Sequence, residues 1–220
     1  MARRLFSPRE LAVPPAPLPP LSDADRAQVV RLFALVGEAI VEATHALLAG
    51  DRELAKHVVQ QDIEIDAIVK GLIALVENAL TADEVPSVQN REELITLLRI
   101  LPEIERNGDL AEHVARRAAR GLGSEMSPRS RGLVERMGEV AATIWREATD
   151  AIVDGDESAV HDIEEIDDEM DDLHVSLTAE LVSGSMALPV AVEVAMIARF
   201  YERFGDHCVN LARRQASRGD

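Results

Sequence analysis

From Ser22 onward, apolar residues recur with a helical period. Val29, Leu32, Phe33, Val36, Ile40 and Leu47 fall on one face behind Ser22-Asp23, a helix-capping pair. Gly50-Asp51 ends that helix and starts a second, to about Leu80, and Thr81–Asn90, containing Pro86, reads as a loop. A third helix is expected from about Arg91 to Arg120, before Gly121 and Gly123. Pro102 falls inside it and should either kink it or move its start later. Ser127-Pro128 opens a fourth helix to Asp154, and Gly155-Asp156 starts a fifth that ends at Ser183-Gly184-Ser185. Pro189 suits the first turn of a sixth, to about Ser217. No segment alternates like a strand, so the expected fold is all-α with six helices.

The six helices form two sets of three. Shifted by 105 positions, Glu42-Ala43-Thr44 falls on Glu147-Ala148-Thr149, Gly50-Asp51 on Gly155-Asp156, and Asp62-x-Glu64-x-Asp66 on Asp167-x-Glu169-x-Asp171. Residues 42–66 contain nine identities at this shift without a gap. In the third helix the shift becomes 97: Glu105-Arg106-x-Gly108-Asp109 falls on Glu202-Arg203-x-Gly205-Asp206, and Ala115-Arg116-Arg117 on Ala212-Arg213-Arg214. The difference lies in the second hairpin loop, where length costs little. The expected architecture is a tandem repeat of two antiparallel three-helix bundles, residues 23–120 and 128–216. Residues 1–22 precede them as a tail expected to be disordered, holding six of the ten prolines.

Composition narrows the partners. The chain has 220 residues, 47% hydrophobic and only 3% aromatic, which favours helices over sandwiches or barrels. Its net charge of −17 opposes a nucleic-acid backbone as main partner and favours metal cations or basic protein surfaces. One cysteine excludes an intramolecular disulfide and a cysteine-based zinc site. No uninterrupted apolar run approaches the length of a membrane span, and no signal peptide is evident. A cytoplasmic protein is therefore expected.

Four acidic pairs spaced i,i+4 stand out: Asp62/Asp66, Glu105/Asp109, Asp167/Asp171 and Glu202/Asp206. Each pair shares a helix face, where two carboxylates repel unless a cation lies between them. With 40 acids in 220 residues, roughly seven such pairs arise by chance, so a solvated charged face is the competing reading. The coincidence favours metal: the pairs sit on helices 2 and 3 of each unit, at equivalent positions, and all-oxygen ligands suit hard cations such as magnesium, manganese or iron.

These residues carry a family resemblance. The doubled unit, the segments Asp62-Ile-Glu-Ile-Asp66 and Asp167-Asp-Glu-Met-Asp171, and Tyr201-Glu-Arg-Phe-Gly-Asp-His-Cys-Val-Asn210 resemble the PhoU family of phosphate-transport regulators over about residues 23–216. Asp62, Asp66, Glu105, Asp109, Asp167, Asp171, Glu202 and Asp206 match the family's repeated Glu/Asp-x-x-x-Asp motif. The second unit is the closer match. In the first, Asn107 replaces an apolar residue, His113 stands where Asn is usual, and Val85–Glu93 departs from the family's stretch opening helix 3. The resemblance implies a non-catalytic cytoplasmic adaptor, often a homodimer, that links a phosphate ABC transporter and its ATPase to a sensor histidine kinase. It implies repression of the phosphate-starvation response and metal clusters of iron or zinc on those eight acids. Remaining alternatives are an accessory protein of another phosphate transporter, a carboxylate-bridged helical metalloenzyme, and a purely structural adaptor.

Other residues have plainer readings. Glu42-Ala-Thr-His45 has the Glu-x-x-His spacing of di-iron enzymes, but its equivalent, Glu147-Ala-Thr-Asp150, lacks the histidine. His207 points about 100° away from Asp206 and is expected to pack or solvate. His113, one turn beyond Asp109, is a possible nitrogen ligand. Cys208 is expected in the core, and Arg106 and Arg203 either pair across the bundle or lie at the surface. Gly108 and Gly205, mid-helix in both units, predict close helix approach. No phosphate-cradling glycine loop and no nucleophile with a plausible base appears.

Overall fold

The computed structural model describes residues 21–81, 87–184 and 186–216. Among them are six α-helices and no strand: α1 (Asp23–Ala49), α2 (Arg52–Thr81), α3 (Val88–Ala119), α4 (Pro128–Asp154), α5 (Val160–Val182) and α6 (Leu188–Ala216). The Pro-rich segment 1–20 and the centre of the predicted loop, 82–86, lie outside the described residues.

Local chemistry sets most helix ends. Ser22 caps α1 through a reciprocal box, its Oγ accepting from the Asp25 amide at 3.2 Å while Asp25 accepts from the Ser22 amide at 3.1 Å. Ser127 caps α4 through its Oγ, which accepts from the Ser130 amide at 3.1 Å, with Pro128 in the first turn. Gly50 and Gly155, equivalent in the two units, close α1 and α4 in the left-handed conformation (φ 71° and 69°), which a side chain would resist.

Three boundaries differ from expectation. A 3₁₀ turn over Glu157–Ala159 delays α5 to Val160, and a second, Leu122–Glu125, bridges α3 and α4. α3 starts earlier than expected, at Val88, capped by Ser87, and runs through Pro102. A proline there costs about 3 kcal/mol in an isolated helix. The buried stripe Leu94, Leu97, Ile100, Leu101 and Ile104 holds the helix across it. Tertiary packing thus overrides the local signal.

α1, α2 and α3 pack mutually, as do α4, α5 and α6. The two bundles meet along α3 against α6 and α1 against α4, leaving α2 and α5 packed within their own units. An ion pair recurs at the 105-residue shift: Arg31 holds Glu64 between α1 and α2, and Arg136 holds Glu169 between α4 and α5. α1 is long and apolar enough to cross a membrane, contrary to the expectation drawn from run length. Half of that stretch is buried, with Leu32, Val36, Ala43 and Leu47 fully so, as in a central core helix.

The seam between bundles is polar as well as apolar. The Trp145 indole donates to the Phe33 carbonyl at 2.9 Å, and its ring packs against Phe33 and Phe204. Tyr201, fully buried, shares a 2.7 Å hydrogen bond with Thr44 from the other unit. Burial raises its phenol pKa well above the usual range.

Candidate functional site

The i,i+4 spacing puts each acidic pair on the flank of its helix, beside the partner helix of the same hairpin. The glycines opposite set the approach. A β-carbon on Gly205 would lie 2.2 Å from Asp167 Oδ1, and one on Gly108 would lie 3.4 Å from Asp62 Oδ1 and 3.1 Å from Ile65 Cγ2. The expected close approach is therefore present in both units, tighter in the second, and the bare backbone makes room for the first aspartate of each α2 or α5 pair.

The acids sense one another. Asp62 is half-buried, and burial first, then the charges of Asp109, Glu112 and Asp66, raise its pKa to about 6. Burial and Asp66 raise Asp109, with His113 opposing. In the second unit, burial first, then Asp171, Asp206 and Glu202, raise Asp167 to about 7. Burial and Asp206 raise Glu202, against the lowering effect of Arg199 and His174. Asp62, Asp66 and Asp109 in the first unit, and Asp167, Asp171, Glu202 and Asp206 in the second, thus lie within electrostatic reach of one another, while Glu105 acts on Lys70.

Counter-charges differ between the units. In the first, the Lys70 ammonium donates to Asp66 at 2.5 Å, and Arg116 is held by Glu112. In the second, Val175 replaces Lys70 and Val209 replaces Glu112, while Arg199 pairs with Glu202. Glu202 Oε2 is buried with no hydrogen-bond partner, an acceptor left with unused capacity. A 440 Å3 hollow lined by Asp167, Asp168, Asp206, Glu164 and Asn210 opens beside this cluster.

The donor set fits a hard cation: oxygen only, several carboxylates, and protons held more tightly than usual by burial and by the neighbouring acids. Among the described residues, however, no three His, Cys, Asp or Glu side chains converge as a ready-made site. Loading would need side-chain rotation on the existing helices. His113 stacks on Phe200 at 5.1 Å between ring centres, an arrangement that occupies its ring face. Arg106 remains mostly exposed and pairs with Glu103, and Cys208 is fully buried, as expected.

Sequence reasoning missed the most heavily partnered carboxylate. Glu103 lies in the α3–α6 seam with its side chain 1% exposed. It accepts from Arg214 at 2.6 Å and Arg106 at 3.0 Å, and its second oxygen lies 2.7 Å from His207 Nδ1. His207 therefore packs into this network. Asn107, also buried, donates to the Phe204 carbonyl at 3.4 Å. The repeat held the signal: at the 97-residue shift, Glu103 and Asn107 stand where the second unit has Phe200 and Phe204.

Fold and site together define a tandem three-helix-bundle protein with an acidic cluster on each unit. The PhoU domain family matches the chain twice, over residues 29–118 and 134–215. The phosphate-specific transport system accessory protein PhoU homolog 2 of Mycobacterium tuberculosis is 34% identical over 186 residues, covering 83% of this chain and 87% of that protein. The corresponding PhoU homolog of Rhizobium meliloti is 27% identical over 192 residues, covering 84% and 79%. The crystal structure of PhoU from Pseudomonas aeruginosa superposes with a TM-score of 0.81 at 26% identity, covering 90% of this chain and 97% of that one. The chain belongs to the PhoU family.

Proposed function

We propose that the protein is a non-catalytic cytoplasmic accessory regulator of phosphate transport. It links a phosphate ABC transporter, through its ATPase, to a sensor histidine kinase and represses the phosphate-starvation response. The observation carrying this reading is that both three-helix units match the family, with acidic pairs at equivalent positions in each. The mycobacterial relatives are named as accessory proteins of phosphate-specific transport, and the −17 charge suits basic partner surfaces.

In this reading Asp62, Asp66, Glu105 and Asp109 hold metal on one unit, and Asp167, Asp171, Glu202 and Asp206 on the other. The ion is iron, zinc, magnesium or manganese. A bound cation would neutralise the carboxylates and fix helix 2 against helix 3 of its hairpin. The carboxylates supply the binding, the glycines supply the close approach, and no residue is assigned a chemical step.

The test is genetic. Deleting the gene should raise a phosphate-starvation reporter in phosphate-replete medium, and the wild-type chain should restore repression. An unchanged reporter together with unchanged phosphate uptake would remove the regulatory reading. Metal content of protein purified without chelator tests the metal separately.

A further inference from the structure

The hairpin end of the second bundle carries an exposed apolar face at positions that are mostly charged in the first, where Leu80, Val88 and Ile95 are the exposed apolar residues. Val175 and Val182 on α5, and Leu188, Val192 and Met196 on α6, are 66%, 82%, 76%, 54% and 41% exposed. Val182, Leu188 and Val192 line a shallow groove of about 470 Å3 together with Leu181, Ala191 and Ala195. The repeat supplies an internal control. The equivalent positions in the first bundle are Lys70, Glu77, Arg91, Ile95 and Arg99, four charged residues of five, on a hairpin whose loop is eight residues longer. The fold therefore does not require this face to be apolar, and contiguous exposed apolar surface of this kind marks an interaction site.

The face does not end in neutral surface. One turn before Val175, α5 presents Asp171 and Asp172, with Asp168 beyond them, all exposed. On α6 the apolar row gives way to the Arg199–Glu202 pair, whose cation is already engaged. An occupant lying along the groove would thus meet apolar side chains at one end and uncompensated carboxylates at the other. A second copy brings the same acids and a net charge of −17, and the two would repel.

We propose that the α5–α6 groove docks an amphipathic helix of a partner protein, with apolar residues at i, i+4 and i+7 seated against Val182, Leu188 and Val192 and with lysines or arginines at the end facing Asp168 and Asp172, two acids outside the proposed metal set. The helix-in-groove geometry supplies affinity, and the acidic border fixes its direction. This inference stands apart from the phosphate reading, since it concerns the shape and chemistry of the partner.

The test uses the full chain and a panel of labelled helical peptides of about 18 residues, roughly five turns. All carry a leucine stripe. They differ in whether one end is basic or acidic. The expected result is binding of basic-ended peptides, weakened by salt, with a loss of at least about tenfold in the Val182→Glu, Leu188→Glu double variant. Both replaced side chains are exposed, and circular dichroism checks that the fold is kept. Absence of binding by every basic-ended peptide, equal binding of acidic-ended ones, or indifference to the double variant overturns the proposal. So does a dimer in sedimentation that the double variant dissociates, because a second copy would then be the occupant.

Discussion

The two bundles carry the same acidic pairs but compensate them differently. In the first, Lys70 reaches Asp66, and an additional acid, Glu112, is tied to Arg116. In the second, valines occupy the positions of Lys70 and Glu112, and a glutamate oxygen is left without a partner. Burial first, and then the neighbouring carboxylates, raise Asp62 to about 6 and Asp167 to about 7. A duplicated scaffold can therefore keep its acidic positions while changing the charges that surround them.

The largest expected difference between the units lies outside the clusters, at Glu103 and its equivalent Phe200. Glu103→Ala leaves His207 and Arg214 without their buried anion and should cost about 3–5 kcal/mol. Phe200→Ala removes a half-buried ring and should cost about 1–2 kcal/mol. Urea unfolding midpoints at unchanged slope measure both. Equal costs would mean that the seam is held by apolar contact alone.

Next comes metal. Asp167→Asn with Asp206→Asn should lower metal affinity by more than the about 10–100-fold typical of losing a ligand's supporting partner. Asp62→Asn with Asp109→Asn should remove a weaker site. Metal titration of the two double variants ranks the bundles, and a tighter first site would reverse the comparison.

A smaller effect is a pH dependence without metal. An aspartate with a raised folded pKa stabilises the fold fully below its unfolded value near 4, and that contribution is lost as pH rises through the folded value. The chelated protein should therefore gain stability between pH 8 and pH 5. Asp167→Asn should flatten this profile more than Asp62→Asn, by about 1–2 kcal/mol after allowing for solvent screening of half-exposed groups. Thermal melts across that range provide the readout, and identical profiles would dissolve the distinction between the clusters.

The smallest is an exchange of counter-charge. Lys70→Val should tighten metal at the first bundle, and Val175→Lys should weaken it at the second, each by about twofold to fivefold and less at high salt. No change in either would show that this lysine does not tune its cluster.

Six helices, the caps at Ser22 and Ser127 and the doubling were legible because serine caps, closing glycines and apolar periodicity all act locally, within a few residues of chain. The acidic pairs were legible for the same reason: four residues make one turn. The Glu103 network was not, since its members come from two helices, and a single glutamate near an apolar stripe looks like any surface residue. Only the alignment of the units, which sets Glu103 against Phe200, marks it. Pro102 misled because its local cost is real, yet the packing of α3 on its neighbours outweighs it. The 3₁₀ turns at Leu122 and Glu157 left no periodic trace because each is shorter than one recognisable repeat.

The seam also bears on the ancestry of the chain. A lone three-helix unit can exist when its outer faces are apolar or solvated, and two copies can then join or part freely. Here the first unit has set Glu103 and Asn107 into the contact, and the second has set Tyr201, His207 and Arg214 opposite. Each half now contains polar groups that find partners only in the other. Gene fission would strand those groups, so the halves have become obligate companions. Parting the halves would strip several buried polar groups of their partners at once, so each half alone should be less stable than the pair.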